Sequence, residues 1–126
     1  MTTTENTPDT AQLAEMIDGH LQAYAMADVD RRNALVAANW NADGELLDPP
    51  LAGRGHAEIA GLADVVVTHY AGHRFERTTD IDVHHGYGRY GWKLVAPDGS
   101  TAITGVDFVQ FDAAGKLLRI VGFFNP

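Results

Sequence analysis

The run Thr101-Ala102-Ile103-Thr104-Gly105-Val106-Asp107-Phe108-Val109-Gln110-Phe111 decides the fold. Read with a period of two, it places Gly105, Asp107, Val109 and Phe111 on one face and Thr104, Val106, Phe108 and Gln110 on the other. That is a long strand, and neither face is polar enough to be left fully wet. Asp107 stands out within it. A mid-strand carboxylate on an apolar face has no local backbone role, and an ionised carboxylate is costly to bury without partners. Such a group has its pKa raised or acts as the neutral acid.

The flanking turns extend the strand into a meander. Pro97-Asp98-Gly99 precedes it and Asp112-Ala113-Ala114-Gly115 follows it, while His85-Gly86 marks an earlier reversal. The alternation predicts strands over Phe75 to Val83, Gly88 to Val95, Thr101 to Phe111 and Lys116 to Phe124. One face collects Tyr90, Trp92, Leu94, Gly105, Asp107, Val109, Ile120, Gly122 and Phe124. Gly105 and Gly122 bring no side chain to that face, which leaves room for a ligand or a sharp bend.

Upstream, the period changes to that of a helix. From Asp9, Leu13, Ile17, Leu21 and Tyr24 form a stripe that also carries His20. Asp28 or Asp30 caps a second helix whose apolar face holds Leu35, Val36 and Trp40. Asn41-Ala42-Asp43-Gly44 reads as a turn and Glu45 to Asp48 as a short strand stopped by Pro49 and Pro50. Gly53-Arg54-Gly55 leads into a third helix with Ile59, Leu62, Val66 and Tyr70 on one face, ended by Gly72. Residues 1–8 read as a disordered tail and 9–126 as a single domain. The expectation is an α+β domain in which three N-terminal helices pack on a curved antiparallel sheet shaped as a cone with an open mouth.

Composition narrows the function. The net charge of -8 argues against nucleic acid and anionic membrane surfaces, both of which require clustered Lys and Arg. The absence of cysteine excludes disulfides, thiol nucleophiles and thiolate metal sites. No apolar stretch approaches the length that spans a membrane, and the polar first residues carry no leader pattern. A soluble cytoplasmic protein is expected. Among the six histidines, His69 and His73 are separated by Gly72, and His84 and His85 alternate in a strand, so no metal site is assigned. His73 is a candidate acid/base partner at the cavity mouth.

A second carboxylate, Asp48 in Leu46-Leu47-Asp48-Pro49-Pro50, lies where a strand runs out into a loop. Two carboxyl groups in different surroundings, if they face one cavity, make an acid/base site. The segment Leu46-Leu47-Asp48-Pro49, followed by Gly55-His56-Ala57-Glu58-Ile59-Ala60, resembles the Glu-Asp-Pro and Gly-Arg-Glu-Gln-Ile-Ala segments of the steroid Δ-isomerases (ketosteroid isomerases). Val106-Asp107-Phe108-Val109-Gln110-Phe111-Asp112 is similar to those enzymes' Ile-Asp-Val-Met-Arg-Phe-Asp strand. From about Leu13 to Phe124 the chain resembles the nuclear-transport-factor-2-like (NTF2-like) fold and, within it, the isomerases and the SnoaL-like polyketide cyclases. That resemblance implies a catalytic base at Asp48, an oxyanion-hole tyrosine at Tyr24 and a protonated second donor at Asp107. It implies pocket walls at Trp92 and Phe124; Trp40, Tyr90 and Val109 are further wall candidates. Where some isomerases carry a second pocket tyrosine, this chain has Ala63.

The expected chemistry is proton transfer beside the carbonyl of an apolar or aromatic small molecule, without a cofactor. Asp107 has few polar partners nearby in sequence, which favours its neutral form. The ordinary roles are a core tyrosine for Tyr24, a turn-starting residue for Asp48, and core aromatics for Trp40, Trp92 and Phe124. A non-catalytic binder of an apolar small molecule is the alternative function. Epoxide hydrolysis ranks third, because its Asp-Arg-Asp relay needs an inward arginine and the parity of Arg89 and Arg119 points outward. The apolar outer face, with Val106 and Phe108, leads to the expectation of a homodimer packed through it.

Overall fold

Asp9 starts the first helix in the way its sequence dictates. Its carboxylate accepts the Gln12 N–H at 2.8 Å, and the Gln12 side chain accepts the Asp9 N–H at 2.8 Å, closing a capping box. In the computed structural model, which describes residues 8–125, helix α1 runs Thr10–Ala23 and helix α2 Val29–Asn39. Asp28 caps α2 through the Arg31 N–H. Helix α3 spans Gly55–His69. The expected stripe of α1 is buried: Leu13, Ile17, His20, Leu21 and, just past the last turn, Tyr24. Residues 1–7 of the expected tail lie outside the described residues; Pro8 is half-buried, its ring lying over Gly115.

Seven strands form one sheet: β1 Trp40–Leu47, β2 Ala52–Arg54, β3 Arg74–Arg77, β4 Asp82–His84, β5 Tyr87–Val95, β6 Thr101–Phe111 and β7 Leu117–Phe124. Their order is β2-β1-β7-β6-β5-β3, with β4 also pairing β5. The sheet is curved and not closed, and the helices pack on it. It is mixed rather than antiparallel, because β1 and β7 run parallel. The hairpins force β5, β6 and β7 to alternate in direction. β1 turns back into β2, its antiparallel neighbour, and reaches β7 only by way of α3 and the strands β3 to β6, so no hairpin fixes the direction of β1 against β7. At the β4–β5 hairpin, His85 and Gly86 both have positive φ, 53° and 80°, as a two-residue turn matching the strand twist requires.

Three local expectations are corrected. Trp40 opens β1 instead of ending the second helix, and Asn41 to Gly44 are strand instead of turn. The Trp40 indole folds over Gly44, where any side chain would collide with it, and the register with β7 shifts between Trp40 and Glu45. Turn-forming residues here absorb a strand irregularity. The Phe75–Val83 strand is two strands, β3 and β4. Between them Thr79 turns its hydroxyl to accept the Gly91 N–H at 3.0 Å, so a side chain replaces the ladder acceptor.

The period-two reading of the central strands places the core. Tyr90, Trp92, Leu94, Asp107, Val109, Phe111 and Ile120 are buried between sheet and helices, whereas Phe108 and Phe123 are exposed on the outer face. Among the described residues no helix is long and apolar enough to cross a membrane.

Candidate active site

The concave face and the helices enclose a cavity of about 410 Å³. Tyr24 and His20 line it from α1, Val65, Val66 and His69 from α3, Leu46 from β1, and Asp48, Pro50 and Leu51 from the loop after β1. The sheet contributes Phe75, Trp92, Leu94, Ile103, Asp107, Gly122 and Phe124. One wall is a chain of edge-to-face aromatic contacts: Tyr24 with Phe75 at 5.8 Å, Phe75 with Trp92 at 5.4 Å and Trp92 with Phe124 at 5.8 Å.

Asp48, Tyr24 and Asp107 therefore share one cavity. Asp48 is positioned by its own turn. Its carboxylate accepts the Leu51 N–H at 2.9 Å, and its backbone exchanges hydrogen bonds with Leu51. Burial raises its pKa and the Leu51 bond opposes that rise. Tyr24 is 7% exposed, and its hydroxyl is buried with no hydrogen-bond partner. Burial, followed by the fields of Asp48 and Asp107, pushes the phenol well above its ordinary pKa, so it keeps its proton.

Asp107 departs from the expectation in one respect. Two donors on the neighbouring strand reach it: the Tyr90 hydroxyl at 2.6 Å to Oδ2 and Trp92 Nε1 at 2.9 Å to Oδ1. Both come from β5, which pairs β6 with Tyr90 opposite Asp107 and Trp92 opposite Gly105. Local sequence showed few partners because these donors lie across the sheet. Desolvation raises the pKa to about 6, with the two hydrogen bonds pulling the other way.

The wall residues divide. Trp92 and Phe124 line the cavity, while Trp40, Tyr90 and Val109 lie outside its lining. Trp40 turns its Nε1–H to His20, Tyr90 spends its hydroxyl on Asp107, and Val109 approaches the position of a Gly88 side chain beside Ile81 and Val83. Gly105 is covered by the Trp92 indole and leaves no space for a ligand. Gly122 does line the cavity. His73 is not in the lining and packs on Tyr70 with ring centroids 5.3 Å apart; His69 lines the cavity in its place. Arg89 pairs with Asp82 and Arg119 with Glu45, both at exposed positions, so neither supplies the inward arginine of an epoxide-opening relay. Among the described residues no three His, Asp or Glu side chains converge as metal ligands would.

Sequence reasoning placed His20 on the buried stripe without giving it a role. It is 3% exposed, lines the cavity, and accepts the Trp40 indole N–H on Nδ1 at 3.4 Å. A polar residue one helical turn before a pocket tyrosine was the available signal.

No family model and no curated sequence matches the chain. Solved structures do. A SnoaL-like family protein of Agrobacterium tumefaciens, provisionally named an isomerase, is 28% identical over 92% of this chain and 99% of its own, with a TM-score of 0.85. A provisionally named polyketide cyclase of Sinorhizobium meliloti, 14% identical, covers 91% of this chain and 98% of its own at a TM-score of 0.67. An NTF2-like protein of unknown function from Exiguobacterium, 14% identical, covers 87% and 98% at 0.65. The last two share the fold.

Proposed function

From a chain that belongs to the NTF2-like, SnoaL-like superfamily, we propose a small-molecule enzyme that moves a proton next to a carbonyl without a cofactor, as ketosteroid isomerases or polyketide cyclases do. The observation that carries the proposal is the Tyr24 hydroxyl. It is buried, protonated and unpartnered in a cavity it shares with two carboxyl groups of raised pKa. A buried donor left without a partner costs roughly 1–3 kcal/mol, and a ligand oxygen removes that cost.

Asp48 takes the proton from the carbon beside the carbonyl. The electron pair of that C–H bond moves into a carbon–carbon double bond, and the carbonyl π pair moves onto oxygen. Tyr24 donates to the growing oxyanion, and Asp107 donates as the neutral acid. Trp92 holds Oδ1 as the acceptor end, and a Tyr90 hydroxyl that donates to Oδ2 leaves the acid proton there free to point at the ligand. In an isomerisation Asp48 returns the proton to the far carbon of the conjugated system. In a cyclisation the enolate carbon bonds to a second carbonyl carbon, and the proton goes to that oxygen. The aromatic wall favours a flat unsaturated substrate.

The second reading is a binder that does not turn its ligand over. It draws support from Asp107, whose two oxygens already have protein donors. A bicyclic or monocyclic β,γ-unsaturated ketone separates the two. An enzyme converts it to the conjugated enone, followed by the rise in ultraviolet absorbance. A protein that binds a phenolic enolate mimic tightly and converts no ketone is a binder.

A further inference from the structure

His20 sits one helical turn before Tyr24, with ring centroids 4.9 Å apart in an edge-to-face contact. Its other neighbour is Trp40, with ring centroids 5.5 Å apart and the indole Nε1–H donated to Nδ1. An indole nitrogen can only donate, so Nδ1 is the acceptor and the hydrogen of the neutral ring is on Nε2. Burial lowers the His20 pKa to about 4, which keeps the ring neutral at ordinary pH. Among the described residues no polar group pairs with Nε2, although His20 is buried and faces the cavity. Nε2 is not among the fully buried atoms that lack a partner, so its N–H opens onto the cavity and is free to meet a ligand there.

We infer that His20 is a substrate-contacting residue whose Nε2–H donates to the same ligand oxygen that the Tyr24 hydroxyl meets. This rests on the placing of the ligand oxygen at Tyr24 under the proposed function and extends it. Residues four apart along a helix face the same way, and both rings line the one cavity, which lets the two donors be aimed at a single ligand oxygen. Trp40 is then a positioning residue: it fixes the tautomer that puts the hydrogen on the cavity side. The deep end of the cavity thereby selects acceptors, meaning a carbonyl, an enolate or a phenolate, against amines and pure hydrocarbons.

The test compares two probes at mildly acidic pH: 3,4-dinitrophenol, which is anionic there, and 1,2-dinitrobenzene, which has a similar shape and no oxyanion. Wild-type protein is expected to prefer the phenolate. His20→Phe keeps a ring of similar size and removes the donor. It is expected to weaken phenolate binding roughly 10- to 100-fold, the size of a hydrogen bond to a charged group, and to leave dinitrobenzene binding unchanged. His20→Gln restores a donor near Nε2 and should recover much of the loss. Should His20→Phe fail to fold, nitrogen-15 NMR of the wild-type imidazole decides. Nδ1 should be unprotonated, and the Nε2–H proton should move downfield with the phenolate and not with dinitrobenzene. An Nδ1–H tautomer, an unmoved Nε2–H, equal phenolate affinity in His20→Phe, or no wild-type preference for the phenolate each overturns the inference. Turnover is not read. A protein that binds through His20 and catalyses nothing keeps this inference and loses the catalytic proposal, and the reverse outcome is equally recognisable.

Discussion

Asp48 and Asp107 meet over Gly122. A side-chain carbon at Gly122 would lie 2.7 Å from Asp107 Oδ1 and 3.3 Å from Asp48 Cβ. Gly122 pairs with Asp107 across β6 and β7, so the missing side chain is what lets the two acids face one space. Asp107 cannot swing aside cheaply, because Tyr90 and Trp92 hold both its oxygens. Gly122→Ala is therefore expected to retain the fold at a cost of roughly 1–3 kcal/mol, the usual range for overpacking. It should also lower both phenolate affinity and turnover. Thermal denaturation and titration calorimetry on the same sample check this; unchanged affinity would show that the space over Gly122 is not used.

Tyr24→Phe should separate stability from activity. It removes a buried hydroxyl that has no protein partner, so the variant should be as stable as the parent or more stable, by up to about 2 kcal/mol. The same change deletes an oxyanion donor and should lower kcat roughly 100- to 1000-fold. Urea denaturation and steady-state kinetics measure the two effects. A destabilised variant would mean that the hydroxyl bonds within the protein and serves the core.

The pH profile of kcat/KM, which reports groups of the free enzyme, should be bell-shaped with an acidic maximum. The acid limb follows Asp48, which must be ionised and whose pKa lies above its ordinary value. The alkaline limb follows Asp107, which must be protonated and titrates at about 6. Asp107→Asn should remove that alkaline limb. A profile flat from pH 5 to 8, the span over which an ordinary carboxylate stays ionised, would contradict the assignment of Asp107 as donor.

Asp107 also links pH to stability. Its folded pKa of about 6 lies above the ordinary 3.8. Its contribution is therefore fully present below the ordinary value and is lost as pH rises through about 6. An amide at this position can still accept from Trp92, can donate to the Tyr90 oxygen once that hydroxyl turns away, and carries no charge at any pH. Asp107→Asn should gain stability over wild type above pH 6, by as much as about 3 kcal/mol from two pKa units, and show little gain in strong acid. His20 acts with the opposite sign. Its lowered pKa contributes stability above the ordinary 6.5 that is lost as pH falls through about 4. Denaturation midpoints across pH for Asp107→Asn and His20→Gln resolve the two slopes.

How much of this was legible in the sequence depends on the range of the interaction. The β6 strand, the Asp9 cap and the His85-Gly86 turn rest on neighbours within a few residues and pattern alone locates them, while for the second helix pattern leaves Asp28 and Asp30 open and the structure takes Asp28. The parallel β1–β7 pairing did not show, because it joins segments far apart in the chain. The same distance hid the role of Gly44, whose turn-like context serves the Trp40 ring. In the candidate site, alternation put Trp92, Asp107 and Gly122 on one face, and resemblance brought Tyr24 and Asp48 to them. Alternation says which face a side chain takes and not where its polar end goes. Trp92 is the wall that alternation makes it and Tyr90 is not, and neither reading shows that the polar ends of both donate to Asp107. His20 was missed for a similar reason: its partner Trp40 was assigned to a helix, which left the imidazole nothing to accept from.

The most direct test of the central claim is exchange of the α-protons of a small cyclic ketone in heavy water, followed by proton NMR with wild-type protein and with Asp48→Asn. Exchange needs only the base and the oxyanion donors, so it does not depend on knowing the natural substrate. Wild-type protein is expected to accelerate exchange. Asp48→Asn should lose at least about 100-fold of that acceleration, the lower part of the usual contribution of a general base, while binding a phenolate nearly as well. Exchange at the same rate in both proteins, or none in a wild-type protein that binds the ketone, would contradict it.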